Sequence, residues 1–157
     1  MSVTHVAAPP GTPQIMITRR FAAPRALVYR AYTEPDLLVR WWGMDEHSTR
    51  VDRYELRDGG RWRLVSTDGE GVEHGFHGVF HGDPAPAGFV QTFEYEGVPG
   101  RVSLDTYRFT DHGTETTVES LTVFQSTVDR DDMVAEHMEY GARESARRLA
   151  DLLTELG

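Results

Sequence analysis

Three histidines stand close together in the segment EHGFHGVFHGD, at positions 74, 77 and 81, and they raise the question of metal chemistry. On an extended strand His74 and His77 point to opposite faces, whereas His77 and His81 share a face but lie ~13 Å apart at the rise of a strand. Neither pair can bind one ion without ligands from elsewhere. We therefore predict no metal site and no cofactor, and we expect these histidines to face solvent or to form single hydrogen bonds.

Nucleophilic chemistry is restricted by the residue types that the chain lacks. It contains no cysteine, and its 16 basic residues are all arginine, which excludes disulfides, thiolate chemistry and lysine Schiff bases. The glycine setting of a nucleophile elbow is missing at serines 66, 103, 120, 126 and 145.

Acid–base chemistry stays open. A Glu, His or Tyr that faces an apolar cavity has a perturbed pKa and can move protons on a bound ligand. The two faces of the strands predicted near residues 102–109 and 114–124 are almost equally polar. The sequence therefore assigns no catalytic residue among the candidates Glu119, His77, Tyr107 and Arg108.

Trp41 and Trp42 are adjacent in the segment EPDLLVRWWG. Two neighbouring indoles cannot lie on one face of a regular element, so if one is in the core, the other lies in a second apolar environment such as a ligand cavity. We favour Trp41 in the core with Leu37 and Leu38, and Trp42 near the mouth of a cavity; the opposite assignment stays open.

The bulk properties limit the class of protein. The length of 157 residues suits one domain, and the formal charge of −9 would repel a nucleic acid. There is no apolar run long enough for a membrane span and no signal-peptide pattern, so we expect a cytoplasmic protein without membrane insertion. Residues 1–13 are rich in Pro, Ala and Gly and predict a disordered leader, followed by a single domain over residues 14–157.

The elements that must position these residues follow from periodicity. A strand begins near Gln14, with Ile15, Ile17, Arg19 and Phe21 on its buried face. Two short helices come next, the first ending at Thr33 and the second at Gly43. About five strands with period two then run from Val51 to Phe124 without an intervening helix, which predicts an antiparallel sheet.

A long helix is predicted from the capping box at Ser126 and Asp129 to the end of the chain. Its apolar stripe is continuous through Val134, Met138, Gly141, Ser145, Leu149, Leu152 and Leu156. Glycine in a helix interior costs about 1 kcal/mol, so Gly141 indicates either tight packing of the helix on the sheet or open volume for a ligand.

Several segments together resemble a known family: RRFAAPRALVYRAYTEPDLLVRWWG, YELRDGGRWRL, GVFHGDPAP with QTFEYEG, and RDDMVAEHMEYGARESARRLADLL. From about Ile15 to Leu153 the chain is similar to the Hsp90-activator-homologue branch of the START-like, or SRPBCC, superfamily. The resemblance implies an α+β helix-grip fold, in which a curved antiparallel β-sheet wraps around a long C-terminal α-helix and two short helices follow the first strand.

In that superfamily the space between sheet and helix commonly binds hydrophobic small molecules, and members include pure binders, polyketide cyclases and hydrolases. Our first hypothesis is binding of a small hydrophobic molecule in a continuous cavity of a few hundred Å³. Its alternatives are a cyclase- or hydrolase-type enzyme that uses acid–base chemistry on a polyketide-like or aromatic substrate, and a chaperone-associated interaction module; a homodimer is also left open. The candidate ligand-binding residues are Trp41, Trp42, Trp62, Phe80, Phe93, Tyr95, Tyr107, Met138, Gly141 and Ser145.

Overall fold

Alternating apolar and polar residues build one antiparallel sheet with a single buried face. The computed structural model describes residues 2–44, 46–136 and 138–157, and within these ranges the sheet has eight strands in the order β1-β2-β8-β7-β6-β5-β4-β3. The strands are β1 (Ser2–Ala7), β2 (Gln14–Phe21), β3 (Ser48–Tyr54), β4 (Arg61–Thr67), β5 (Glu73–Ala85), β6 (Gly88–Tyr95), β7 (Val102–Asp111) and β8 (Thr116–Val123).

Strand β1 corrects the prediction of a disordered leader. Residues 2–7 pair with β2 in an antiparallel hairpin, in which Val3 lies opposite Arg20 and Val6 opposite Ile17; Met1 lies outside the described residues. The prediction is wrong there because the β-forming run Val3 to Val6 precedes a Pro- and Gly-rich loop. That loop dominated the composition of the segment, although it is a turn between two strands. The run from Val51 also contains six strands, one more than predicted.

Two short helices follow β2, as predicted, but the second ends at Leu38 and not at Gly43. Helix α1 (Arg25–Thr33) begins after Pro24, and helix α2 (Pro35–Leu38) has Pro35 in its first turn, where a missing N–H costs nothing. Gly43 adopts a φ of 96° beyond α2, and its carbonyl accepts a hydrogen bond from Arg148 at 2.6 Å. That bond ties the short helices to the C-terminal helix.

The predicted single C-terminal helix is two helices, α3 (Thr127–Ala135) and α4 (Met138–Leu156). The predicted cap is confirmed, since the Asp129 N–H donates to the Ser126 hydroxyl at 3.1 Å. The apolar stripe steps by four and three residues straight across the break, so periodicity does not reveal it. Val134, predicted on the buried face, is 42% exposed.

Helix α4 lies against the inner face of the curved sheet, which confirms the predicted helix-grip fold. One apolar core joins Leu149 and Leu152 of α4 to Phe21 and Phe109 of the sheet and to Val28 of α1. In the described part of the chain no helix combines the length and the apolar character that a membrane crossing requires.

Candidate functional site

The pairing of β7 with its neighbouring strands shows which of its side chains point inward, a question that the sequence leaves open. Ser103, Asp105 and Phe109 are buried, and Tyr107 shares their parity on the inner face. Arg108 pairs with Glu119 of β8 on the other parity. Of the acid–base candidates, Tyr107 therefore points inward, whereas Arg108 and Glu119 do not.

His77 also lies on the outer face. Its Nδ1 is 2.8 Å from Glu96 and its Nε2 is 3.4 Å from Glu94, and Glu96 also pairs with Arg63. The Arg63 hydrogen bond is the main cause that lowers the pKa of Glu96 to about 2, with help from His77. Across residues 2–44, 46–136 and 138–157, no three His, Asp or Glu side chains are grouped as metal ligands.

A recess between the inner face of the sheet and helix α3, which we call the outer cavity, has a volume of about 100 Å³. Strands β6 and β7 form its floor and helix α3 forms its wall. Its apolar surface comes from Phe93, Tyr95, Val98, Val102, Phe124 and Met133. Its rim is charged: Arg101 contacts Asp129 at 3.2 Å and Asp132 at 2.8 Å, and Glu136 is a third carboxylate.

A second recess, the inner cavity, lies between the short helices and the sheet and has a volume of about 30 Å³. It is lined by Tyr32, Leu38, Trp41, Trp42, Tyr54, Trp62, Leu64, Phe89, Gln91 and Tyr107. This volume holds one or two water molecules and no larger guest. The buried Trp62 Nε1 has no hydrogen-bond acceptor in the described part of the chain, so a water in this cavity would have a donor to bind.

The predicted continuous cavity of a few hundred Å³ is therefore wrong. Aromatic side chains fill the space between the two cavities: Phe93 of the outer cavity lies 6.0 Å from Trp62 of the inner cavity, ring centre to ring centre. Phe93 also contacts Phe76 at 5.6 Å. Aromatic contacts of this kind separate the outer cavity from the inner cavity.

Trp41 lies in the core, as we favoured, but it also lines the inner cavity together with Trp42, so the two indoles are not divided between core and cavity. Trp41 is 4% exposed, and its Nε1 donates to the carbonyl of Ala31 at 2.9 Å. Trp42 is half-buried, and its ring meets the edge of Phe76 at 5.1 Å. Trp41 thus anchors the end of α2 in the core, whereas Trp42 covers the aromatic side chains on the sheet.

Gly141 and Ser145 of α4 line neither the outer nor the inner cavity. Arg19 of β2 extends under the helix and donates to the Ser145 hydroxyl at 3.0 Å, the Ala142 carbonyl at 3.1 Å and the Tyr32 hydroxyl at 3.2 Å. At Gly141, an added Cβ would meet only the sulfur of Met44, at 3.6 Å. Gly141 is therefore not a position of close backbone approach, and the Arg19 side chain occupies the space predicted beside Ser145.

The structure thus brings six of the ten predicted ligand-binding residues to a cavity: Phe93 and Tyr95 to the outer cavity, and Trp41, Trp42, Trp62 and Tyr107 to the inner cavity. Phe80 is a core residue, 1% exposed, that packs on Tyr54 and Phe89. Met138, Gly141 and Ser145 line neither cavity.

Two polar groups on the inner face were not among the predicted residues. Asp105 is buried between Gln91, Thr122 and Ser103, and its burial raises its pKa to about 6, against the opposing effect of hydrogen bonds from those neighbours. His74 bridges Asp68 and Tyr95, where we expected a single hydrogen bond. The sequence did carry a signal for this position, because the spacing of His74 and His77 on one strand places them on opposite faces.

Comparison with known proteins gives the family. Residues 22–154 match the family described as Activator of Hsp90 ATPase homolog 1-like protein, and the chain belongs to this family. Its fold typically binds hydrophobic ligands. A search of curated proteins finds no match.

Solved structures share the fold. Protein Ms6760 from Mycobacterium smegmatis is 24% identical, with a TM-score of 0.85 and 96% of each chain covered. A protein from Rhodobacter sphaeroides is 24% identical, with a TM-score of 0.88 and coverage of 98% of this chain and 99% of that one. A protein from Arthrobacter aurescens is 22% identical, with a TM-score of 0.88 and coverage of 96% and 91%.

Proposed function

We propose that this protein binds a small hydrophobic molecule in the outer cavity, between β6, β7 and α3. The observation that carries the proposal is the combination of size and lining. At about 100 Å³ this recess is the larger of the two, and Phe93, Val102, Phe124 and Met133 give it apolar walls. Concave sites with such walls and a few polar groups are typical of small-molecule binding. The proposal is also supported by the fold, which typically binds hydrophobic ligands.

The charged rim narrows the class of ligand. Asp129, Asp132 and Glu136 outnumber the single guanidinium of Arg101 at this opening, and the whole chain carries a formal charge of −9. Anionic molecules such as fatty acids are therefore disfavoured by long-range repulsion. We expect a neutral or cationic ligand with an apolar body about the size of one aromatic ring.

Native mass spectrometry of the purified protein, before and after organic extraction, tests the proposal. A small molecule that is retained before extraction and lost afterwards supports it. A thermal-shift panel of neutral, cationic and anionic one-ring compounds then tests the class, since a ligand at a hundred times its Kd stabilises the folded state by about 2.7 kcal/mol. A bare polypeptide mass together with no shift from any compound would overturn the proposal.

A matched pair of variants locates the site. Met133→Trp fills the outer cavity from α3, whereas Val134→Trp makes a similar enlargement at the next residue, which is 42% exposed. We expect the first variant to lose binding and the second to retain it. Equal binding by both variants would place the ligand elsewhere.

A cyclase- or hydrolase-type activity is a second candidate because one carboxyl group is buried on the inner face. Asp105 lines neither cavity but is adjacent in register to Gln91 of the inner cavity, and its raised pKa of about 6 suits a proton-transfer group for a substrate that displaces the side chains around Gln91. If the protein is an enzyme of this kind, the ligand retained by Asp105→Asn should differ in its fragmentation pattern from the product released by the wild type, because hydrolysis changes the mass and cyclisation changes the connectivity. Identical fragmentation patterns from both proteins would count against catalysis by Asp105.

A further inference from the structure

Three polar side chains form a hydrogen-bonded row that ends at Tyr95, a residue of the outer cavity. The Asp68 carboxylate lies 3.0 Å from His74 Nε2, and His74 Nδ1 lies 2.9 Å from the Tyr95 hydroxyl. Tyr95 also lines the outer cavity. The row therefore connects a carboxylate in the loop after β4 to the lining of the proposed binding site.

The direction of the hydrogen bonds follows from Asp68. Its Oδ1 accepts from the backbone N–H groups of Glu70 at 2.9 Å and Val72 at 3.0 Å, so the carboxylate is held in one orientation, with Oδ2 towards His74. The hydrogen bond from His74 and those backbone bonds lower the pKa of Asp68. An ionised carboxylate only accepts hydrogen bonds. His74 must then carry a proton on Nε2, and in the Nε2–H tautomer its Nδ1 is an acceptor.

It follows that the Tyr95 hydroxyl uses its single O–H group to donate a hydrogen bond to His74. Its oxygen retains lone pairs and can only accept a hydrogen bond from a further partner. The ring is held in place by Phe76, stacked at 5.1 Å between ring centres. It also lies over Gly97, where an added Cβ would be 2.6 Å from the hydroxyl oxygen. Tyr95 is thus a positioned acceptor and not a freely rotating hydroxyl.

We propose that the outer cavity selects neutral apolar ligands that carry a hydroxyl donor, as in a phenol or an enol, through a hydrogen bond from that hydroxyl to the oxygen of Tyr95. This inference rests on the proposed binding function and specifies its ligand class. Tyr95 is the binding residue, whereas His74 and Asp68 are positioning residues that set the polarity of its hydroxyl. An ether of the same shape has no donor and leaves the Tyr95 acceptor unpaired.

The first test compares 4-fluorophenol with 4-fluoroanisole, using fluorine NMR titration of the full-length protein. The wild type is expected to bind the phenol about tenfold more tightly, the equivalent of one net hydrogen bond. Tyr95→Phe keeps the ring and should lose this preference. Tyr140→Phe makes the same change at a tyrosine that is 57% exposed and should retain it.

The second test reverses the direction of the hydrogen bonds from Asp68 through His74 to Tyr95. In Asp68→Asn, the amide oxygen replaces Oδ1 as the acceptor of the two backbone bonds, and the NH₂ group then donates to His74 Nε2. His74 must carry its proton on Nδ1 and donate to Tyr95, whose own proton becomes available to the ligand. The preference should shift from the phenol towards the anisole. Nitrogen-15 NMR of the imidazole, assigned with His74→Gln, should show the Nε2–H tautomer in the wild type and the Nδ1–H tautomer in Asp68→Asn, with no ligand present.

The outcomes separate the two proposals. Equal affinity for both probes in the wild type, or a wild-type His74 protonated on Nδ1, overturns the hydroxyl selection and leaves hydrophobic binding intact. If neither probe binds, binding of one-ring ligands in the outer cavity is overturned, and the selection inference falls with it. A preference for the phenol that survives Tyr95→Phe would assign the selection to a different residue and contradict the role of Tyr95.

Discussion

Nη2 of Arg19 lies 3.0 Å from the Ser145 hydroxyl, and the two side chains connect the first long strand to the C-terminal helix. Ser145 therefore faces a guanidinium and not an open cavity, and the outer cavity lies under α3.

Replacing Arg19 tests the cost of burying its charge. Arg19 is 9% exposed and makes no ion pair in the described part of the chain, where its Nε also has no acceptor. Burial of a cation without a carboxylate is expensive. Arg19→Met keeps the length of the side chain, and Ser145 can still donate to the Ala142 carbonyl at 3.2 Å. We expect the free energy of unfolding of Arg19→Met, measured with urea, to be at least that of the wild type and at most about 3 kcal/mol higher.

The control is Arg20→Met, because Arg20 is exposed and pairs with Glu115 on the surface. Its effect should stay within about 1 kcal/mol. A loss of stability in Arg19→Met larger than that would show that the three hydrogen bonds of Arg19 outweigh the cost of burying its charge.

Gly141→Ala is expected to stabilise the protein by about 1 kcal/mol, because alanine is the better helix former and the new methyl group meets only the Met44 sulfur, at 3.6 Å. Thermal unfolding followed by circular dichroism measures the effect. Gly78→Ala provides the contrast, since its Cβ would lie 1.9 Å from the Thr92 carbonyl oxygen, and it should destabilise the protein. A lower melting temperature for Gly141→Ala would mean that the helix packs more tightly at this point than these contacts indicate.

Asp105 should make stability depend on pH. Its pKa is raised to about 6 from an ordinary value of 3.8, so the folded state keeps a proton that the unfolded state releases. The stability from Asp105 is complete below pH 3.8 and is lost as the pH rises through about 6. Asp105→Asn stays neutral throughout, so its free energy of unfolding relative to the wild type should rise by about 3 kcal/mol from pH 4 to pH 7.

Urea unfolding at several pH values measures this difference. A flat difference would show that the pKa of Asp105 is the same in the folded and the unfolded state, so that burial does not raise it.

The two adjacent tryptophans should respond unequally to the same substitution. Trp41→Phe removes both core volume and the hydrogen bond to the Ala31 carbonyl, and it should cost about 2–3 kcal/mol. Trp42 is half-buried, so Trp42→Phe should cost about 1 kcal/mol or less. Chemical unfolding followed by circular dichroism compares them, and equal losses would contradict the assignment of Trp41 to the core.

Much of the fold was predictable because its signals are local. The alternation that placed Arg19 with Ile15 and Phe21 on the buried face of β2 is confirmed, as is the Ser126 cap. The break between α3 and α4 was not predictable, because Arg130 sets the position of α3 through bonds to carbonyl groups that are 121 and 122 residues away in the chain. Hydrophobic spacing carries no information about such contacts.

The site was less predictable than the fold. The row from Asp68 to Tyr95 depends on the pairing of β5 with β6, in which Phe76 lies opposite Tyr95, and no local pattern specifies that register. Asp105 lies on a strand with polar residues on both faces, so alternation could not assign its direction. The volume of the cavities depends on how Phe93 and Trp62 meet across the interior, which only the three-dimensional packing determines.

The bonds of Arg130 to the carbonyls of Ala8, at 2.9 Å, and Pro9, at 3.2 Å, have a consequence for motion. Helix α3 carries Met133 into the outer cavity, and the same helix is tethered by Arg130 to the loop that follows β1. The helix cannot swing away from the cavity without releasing that loop. We therefore expect that opening of the cavity by a movement of α3 would break the bonds of Arg130 to that loop and loosen the N-terminal edge of the sheet.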